Sequence, residues 1–223
     1  MKSALRITAF LFAFAYAAAA AAQNSPSRAG KWEFTLQPQY THGFSFDTGH
    51  GSGGQVDSSL GFGFGVGYNL NANFNIGGEF TWGSAAYVAT IASGDTPPGP
   101  STTQQGTLNS STFRLNATWN ILAGDFTPLI MGGIGSTYIN TNIPTAPPVN
   151  SCWWDPWWGY YCGTYYPTRT AYYVSYMAGA GLRWELDRSI FLRAIVNRQW
   201  LEVGGSLGNV WTDQYRVDLG FKF

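Results

Sequence analysis

From Trp32 to Phe223, apolar and polar side chains alternate with a period of two in run after run. The last run, WTDQYRVDLGFKF, is the cleanest. Tyr215, Val217, Leu219, Phe221 and Phe223 share one face, and Gln214, Arg216, Asp218, Gly220 and Lys222 share the other. Period two is the mark of a β-strand with one apolar and one polar face. In KWEFTLQPQYT, Trp32, Phe34, Leu36 and Tyr40 oppose Lys31, Glu33, Thr35, Gln37 and Gln39. LGFGFGVGY sets Leu60, Phe62, Phe64, Val66 and Tyr68 against four glycines. Similar runs follow at NFNIGGEFTWG, TFRLNATWNI, YYVSYMAGAGLRWEL and IFLRAIVNRQW. PLIMGGIGSTYI reads as a strand by composition, but its two faces cannot be told apart.

These runs predict eight strands of about ten residues, near the 9–11 that a tilted membrane-spanning strand needs. An even number allows antiparallel closure with both chain ends on one side. The connectors alternate in length. Segments 43–56, 91–106, 141–168 and 203–210 are long or rich in Gly and Pro, whereas NLNAN, LAGDFT and DRS are short. Outer-membrane barrels have short periplasmic turns and longer external loops, and a soluble sandwich has no reason to alternate in this way. The expected fold is all-β: an eight-stranded antiparallel transmembrane β-barrel, its apolar faces toward lipid and its polar faces toward the lumen.

Charge sharpens this picture. Glu33, Glu79, Arg114, Arg183, Glu185, Arg193, Arg216 and Asp218 sit within strands on the face opposite the aromatics, so in a barrel they converge. Counted from the periplasmic end, Glu79 and Arg114 stand at similar heights on neighbouring strands, as do Arg193 and Asp218. Each pair is expected to form a salt bridge in the lumen, because an unpaired charge there is costly. Eight strands enclose an interior just wide enough for side chains to fill. Two readings of these charges stand: a rigid plug, or a gate that rearranges to pass small solutes.

Composition agrees. Only 11% of the 223 residues are charged while 17% are aromatic, Gly numbers 28, and the formal net charge is +0. Ordinary globular domains carry about 25% charged residues. No basic patch points to nucleic acid. Trp32, Tyr40, Tyr68, Trp82, Trp119, Trp184 and Trp200 fall near strand ends, as the aromatic belts of a membrane interface do. Before the first strand, Lys2 and Arg6 precede an apolar run from Ile7 to Ala22, and Ala20 and Ala22 supply an A-x-A pattern before Gln23. That predicts a secretory signal peptide over 1–22 and a barrel over 23–223.

The run YRVDLGFKF with its terminal aromatic, and GDFTPLIMGGIGSTY over 124–138, resemble the small outer-membrane β-barrel family of OmpA-, OmpX- and OmpW-type proteins. The resemblance implies an outer-membrane location in a Gram-negative-type cell and contact with outer-membrane lipid. It also implies that Tyr215, Val217, Leu219, Phe221 and Phe223 form the signal read by the barrel-assembly machinery. OmpW-type members suggest a narrow path for small or apolar solutes. The chain stops at its last strand, so the periplasmic domain of larger members is not expected.

Catalytic chemistry is sparse, and no cofactor or metal is expected. His42, Ser45 and Asp47 make an imaginable triad, but in a glycine-rich loop that lacks fixed geometry. His50 and Asp57 complete no metal-ligand spacing. A surface histidine is the plainer reading of His42, and an enzyme is the distant alternative. The stretch SCWWDPWWGYYC remains. It holds both cysteines of the chain, and in an oxidising compartment Cys152 and Cys162 are expected to pair. Trp153, Trp154, Trp157, Trp158, Tyr160 and Tyr161 would then form either a self-packed loop or an exposed patch that contacts an external surface partner.

Overall fold

The computed structural model describes residues 28–49, 52–91, 102–144, 149–155, 157, 159–165, 168–204 and 208–223. The expected leader over 1–22, His50 and Trp158 lie outside these. Its strands in chain order are β1 (Trp32–Leu36), β2 (Gln39–Thr41), β3 (Phe44–Gly49), β4 (Ser52–Val56), β5 (Ser59–Asn69), β6 (Phe74–Ile91), β7 (Thr102–Asn120), β8 (Phe126–Pro144), β9 (Val149–Asp155), β10 (Gly159–Tyr165), β11 (Thr168–Glu185), β12 (Ile190–Gly204) and β13 (Gly208–Lys222).

Eight walls form the ring. The first is β1 with β2, continued outward by β3; the second is β5, continued outward by β4; then come β6, β7, β8, β11, β12 and β13. Every neighbouring pair is antiparallel. Closure is between the first wall and the last. The N–H of Trp32 donates to the Phe223 carbonyl at 3.0 Å, and the N–H of Phe223 returns the bond at 3.1 Å. The first wall is interrupted at Gln37–Pro38. Pro38 has no N–H to give to the ladder, but its carbonyl accepts from the Val217 N–H at 3.2 Å.

The periplasmic turns are short because side chains replace missing backbone partners. Asn71 Oδ1 accepts from the N–H groups of both Asn73 and Phe74 at 2.8 Å. Thr127 Oγ1 accepts from the Leu122 N–H at 2.8 Å, and Asp187 Oδ1 from the Arg188 N–H at 2.6 Å.

At the outer end the strands overrun the segments read as loops. β6, β7, β8 and β11 run for 18 or 19 residues, roughly twice what a membrane crossing requires. Residues 44–49 and 52–56 form a hairpin. The reason is physical: beyond the lipid both strand faces meet water, so runs such as TTQQGTLNSS pair through their backbones while losing the apolar alternation that betrays a strand.

Outward faces carry the exposed aromatics and aliphatics, among them Trp32, Phe113, Trp119, Ile134, Trp184 and Val217. Inward faces carry the buried polar and charged groups. β8 departs from this rule: Leu129 and Met131 point inward and pack with Met177 and Ile195, while Ile130 and Ile134 face out. With apolar residues on both faces, its sequence shows no alternation. The inward glycines of β5 make room for neighbours: a Cβ on Gly65 would lie 2.8 Å from both Gln37 Nε2 and Thr35 Oγ1.

Candidate functional site

The lumen is crossed by two charge clusters stacked along its axis. Near the periplasmic end, Arg183 of β11 reaches across the ring to Glu33 of β1. The contact is bidentate, Nη2 to Oε1 at 2.6 Å and Nη1 to Oε2 at 3.1 Å. Its Nε donates to Glu185 Oε1 at 2.8 Å. Glu185 also holds Lys222 Nζ at 2.6 Å and Arg28 Nε at 3.2 Å. Arg28 precedes the first strand, and it folds over the mouth of the barrel to donate to the carbonyls of Leu122 and Gly124. The Phe191 ring lies fully buried beneath the Arg183 guanidinium at 3.7 Å.

One layer higher, Glu79 of β6 receives two arginines. Arg114 on the neighbouring β7 stands at 3.3 Å, and Arg216 of β13, from across the lumen, at 2.9 Å. Asn116 adds a hydrogen bond to Glu79 at 3.0 Å. Asp218 joins Arg216 at 2.8 Å and Arg193 at 3.0 Å. All of the charged side chains in the two clusters are at least nine-tenths buried. The best bridges are charge-assisted and bidentate, the geometry in which arginine is strongest.

Above the charges lies a neutral belt. Thr112 and Thr137 share a hydrogen bond at 2.9 Å; Gln199 donates to Thr137 at 3.1 Å; Gln214 donates to Gln199 at 2.7 Å; Asn197 donates to Gln214 at 2.8 Å. Between the two clusters a space of about 20 Å³ remains, bordered by Glu33, Glu79, Arg193 and Arg216, which is room for about one water. This arrangement holds side chains in place across the full section of the barrel.

The structure brings together Glu79 with Arg114 and Arg193 with Asp218, the two pairs placed by strand height. It adds partners that height alone does not reveal: the chords from Arg183 to Glu33 and from Arg216 to Glu79, and the caps Arg28 and Lys222. Nothing within a single strand marks these chords, because the walls that meet carry both signs: Arg183 and Glu185 on β11, Arg216 and Asp218 on β13. Tyr215, Val217, Leu219, Phe221 and Phe223 all face outward. His42 stands at the top of the first wall with its N–H donating to the Asp213 carbonyl at 2.8 Å and its side chain exposed. Ser45 is exposed as well, and the Asp47 side chain lies outside the described residues.

Outside the membrane, β9 and β10 form a separate two-stranded hairpin. Cys152 lies opposite Cys162 and the two are joined by a disulfide; Trp154 lies opposite Tyr160. Gly159 takes φ +77°, a left-handed conformation that suits glycine at the end of the turn. Trp154, Trp157 and Tyr160 are 72%, 88% and 71% exposed. The side chains of Trp153 and Tyr161 lie outside the described residues. The staple closes a short loop, and chain-closure entropy values such a bridge at about 2–3 kcal/mol. That energy acts on the hairpin, which pairs with no barrel strand among the described residues. The Cys152→Ser/Cys162→Ser double variant should therefore keep the wild-type shift between boiled and unboiled forms on SDS gels, while protease cuts within 149–165 at least several times faster. Loss of the gel shift would place the disulfide in the barrel's own stability.

Residues 8–223 match the family model described as the outer membrane protein beta-barrel domain. No curated protein matches the chain in sequence. Among solved structures, neisserial surface protein A is 10% identical with TM-score 0.53, over 85% of this chain and 97% of that one. Ail of Yersinia pestis, solved with the heparin analogue sucrose octasulfate, is 12% identical with TM-score 0.48, over 87% and 99%. The outer membrane protein OprG of Pseudomonas aeruginosa is 12% identical with TM-score 0.47, over 87% and 96%.

Proposed function

The chain belongs to the outer membrane protein beta-barrel family, and on that premise we propose that it is a closed, non-enzymatic barrel of a Gram-negative outer membrane. In this reading it contributes to the structure of the membrane and holds its stapled aromatic hairpin outside the cell as a contact surface. One observation carries the closed state. Arg183 and Arg216 cross the lumen to Glu33 and Glu79 in stacked layers, and an eight-stranded interior leaves side chains little room to move aside. Its partners are outer-membrane lipid along the apolar faces, the barrel-assembly machinery at the outward face of β13, and an external surface met by Trp154, Trp157 and Tyr160.

Single-channel recording in planar bilayers tests this. The wild type should give no steady conductance. Replacing both Arg183 and Arg216 with alanine removes the two chords and should give discrete openings. A large, steady wild-type conductance defeats the proposal. A narrow path for small apolar solutes is the second reading, and one observation favours it: above the neutral belt the inward residues turn apolar. Val56, Leu108, Ile139 and Leu201 border a cavity of about 90 Å³ there. Uptake of such solutes into vesicles without ionic conductance would support that reading instead.

A further inference from the structure

The ring is closed below and slit above. In its inner part, β1 and β2 bond to β13. The last rungs are the His42 N–H to the Asp213 carbonyl and the Thr212 hydroxyl to the His42 carbonyl, both at 2.8 Å. Past them the first wall turns away, because the Gly43 N–H donates to Ser58 Oγ at 2.9 Å. Among the described residues β3 pairs with β4 alone, and no rung joins it to the outer end of β13. A cleft of about 580 Å³ lies between them.

Backbone direction follows from the rungs that are made. Along β13, Asp213 and Val217 turn their backbone groups toward the first wall, so Trp211 and Asn209 turn theirs into the slit. Along the first wall the alternation breaks at Gly43; Asp57 bonds to Ala86 of β6, so Val56 and Gly54 turn toward their partners Phe44 and Phe46, and Ser45 and Asp47 are left facing the slit. Two open strand edges therefore confront one another. The β13 edge is held straight: Arg198 bridges Asp213 at 2.7 and 2.9 Å and lies over the Trp211 ring at 4.0 Å.

We propose that this slit is a docking site for an extended peptide, which adds as a strand between β3 and the outer end of β13. Open edges are templates for strand addition. Backbone groups of β3 and β13 supply the hydrogen bonds, antiparallel on one side and parallel on the other, since the two edges run in opposite directions. The side chains set the preference. Phe44 and Phe46 lie on the face of β3 that carries Val56 across the pair, so alternate residues of the guest meet an apolar wall, while the others meet Ser45 and Asp213 on the outer rim. The edge from Phe44 to Asp47 suits a guest of about four or five residues at ~3.3 Å each. An acyl chain fits the two phenyl rings but leaves the backbone groups of both edges without partners, which makes the peptide the better occupant.

The test uses the full barrel in lipid nanodiscs and a fluorescent hexapeptide of alternating valine and threonine. A second peptide has the same side chains but is N-methylated at alternate residues, so that it lacks those donors. Saturable anisotropy is expected for the first, with binding at least about tenfold weaker for the second, as the loss of one or two backbone hydrogen bonds implies. Amide exchange at Ser45, Asp47, Asn209 and Trp211 should be fast in the free barrel and slowed by the first peptide. Equal binding of both peptides overturns the proposal in favour of an apolar or lipid guest. Absence of saturable binding, or protection of these amides in the free barrel, overturns it outright.

Discussion

The Glu79→Ala barrel unfolds from lipid vesicles at a clearly lower denaturant concentration than the wild type, with about 3–5 kcal/mol lost. Among the described residues Glu79 is the only carboxylate within bridging distance of Arg114, and it shares Arg216 with Asp218. Its removal leaves one buried guanidinium with no anion and another half-compensated, in a lumen where water enters poorly. The size of the effect thus comes from stranded charge more than from lost attraction. A second variant separates the two causes. In Glu79→Ala/Arg114→Met/Arg216→Met the stranded charges are gone, and most of the lost stability should return. Tryptophan fluorescence during urea titration reads both. A Glu79→Ala barrel within about 1 kcal/mol of wild type would mean that water already reaches this layer.

The second large effect is at Gly220, and it is steric. The would-be Cβ of Gly220 collides with the tip of the Phe191 ring, and the Arg183 guanidinium lies over that ring at 3.7 Å. Gly220→Val displaces the ring against which the guanidinium that clamps Glu33 and Glu185 is packed. Overpacking costs about 1–3 kcal/mol, and a displaced Arg183 adds the cost of a broken buried bridge. Phe191→Ala alone should cost about 3–5 kcal/mol through the cavity it leaves. In the double variant Phe191→Ala/Gly220→Val, the valine occupies part of that cavity. The double should therefore be less damaged than the sum of the singles by 1 kcal/mol or more, a coupling expected of residues in contact. Additive losses in the same urea titration would show that the stack is not a unit.

How far these sites can be read in advance depends on what kind of contact they are. Which face of each strand meets lipid is written in the alternation of residues such as Tyr215, Val217 and Leu219, since lipid rewards one face along the whole crossing. β8 escapes this reading because Leu129 and Met131 find apolar partners inside the lumen. Pairing of Glu79 with Arg114 is legible because Glu79 lies opposite Arg114 on neighbouring strands. The chord from Arg183 to Glu33 is not, since it depends on the stagger of a closed ring, which no single strand encodes. Arg28 stands before the first alternating run, so nothing local marks it as a cap. Above the membrane the signal fades altogether: in β7 the outer residues Thr102 to Ser111 are strand by pairing yet carry no amphipathic face.

The interruption at Gln37–Pro38 bears on how such a cylinder fails. β1 and β2 pair with β13 over Glu33–Leu36 and Gln39–Thr41, with further bonds at Trp32, Pro38 and His42, whereas β12 holds register from Ile190 to Gly204. Loaded as a hoop, by thinning of the bilayer or a pull on its rim, the cylinder yields where its weld is shortest. That weld joins the first stave to the last, so rupture begins between the two ends of the chain and leaves the other staves as one curved plate.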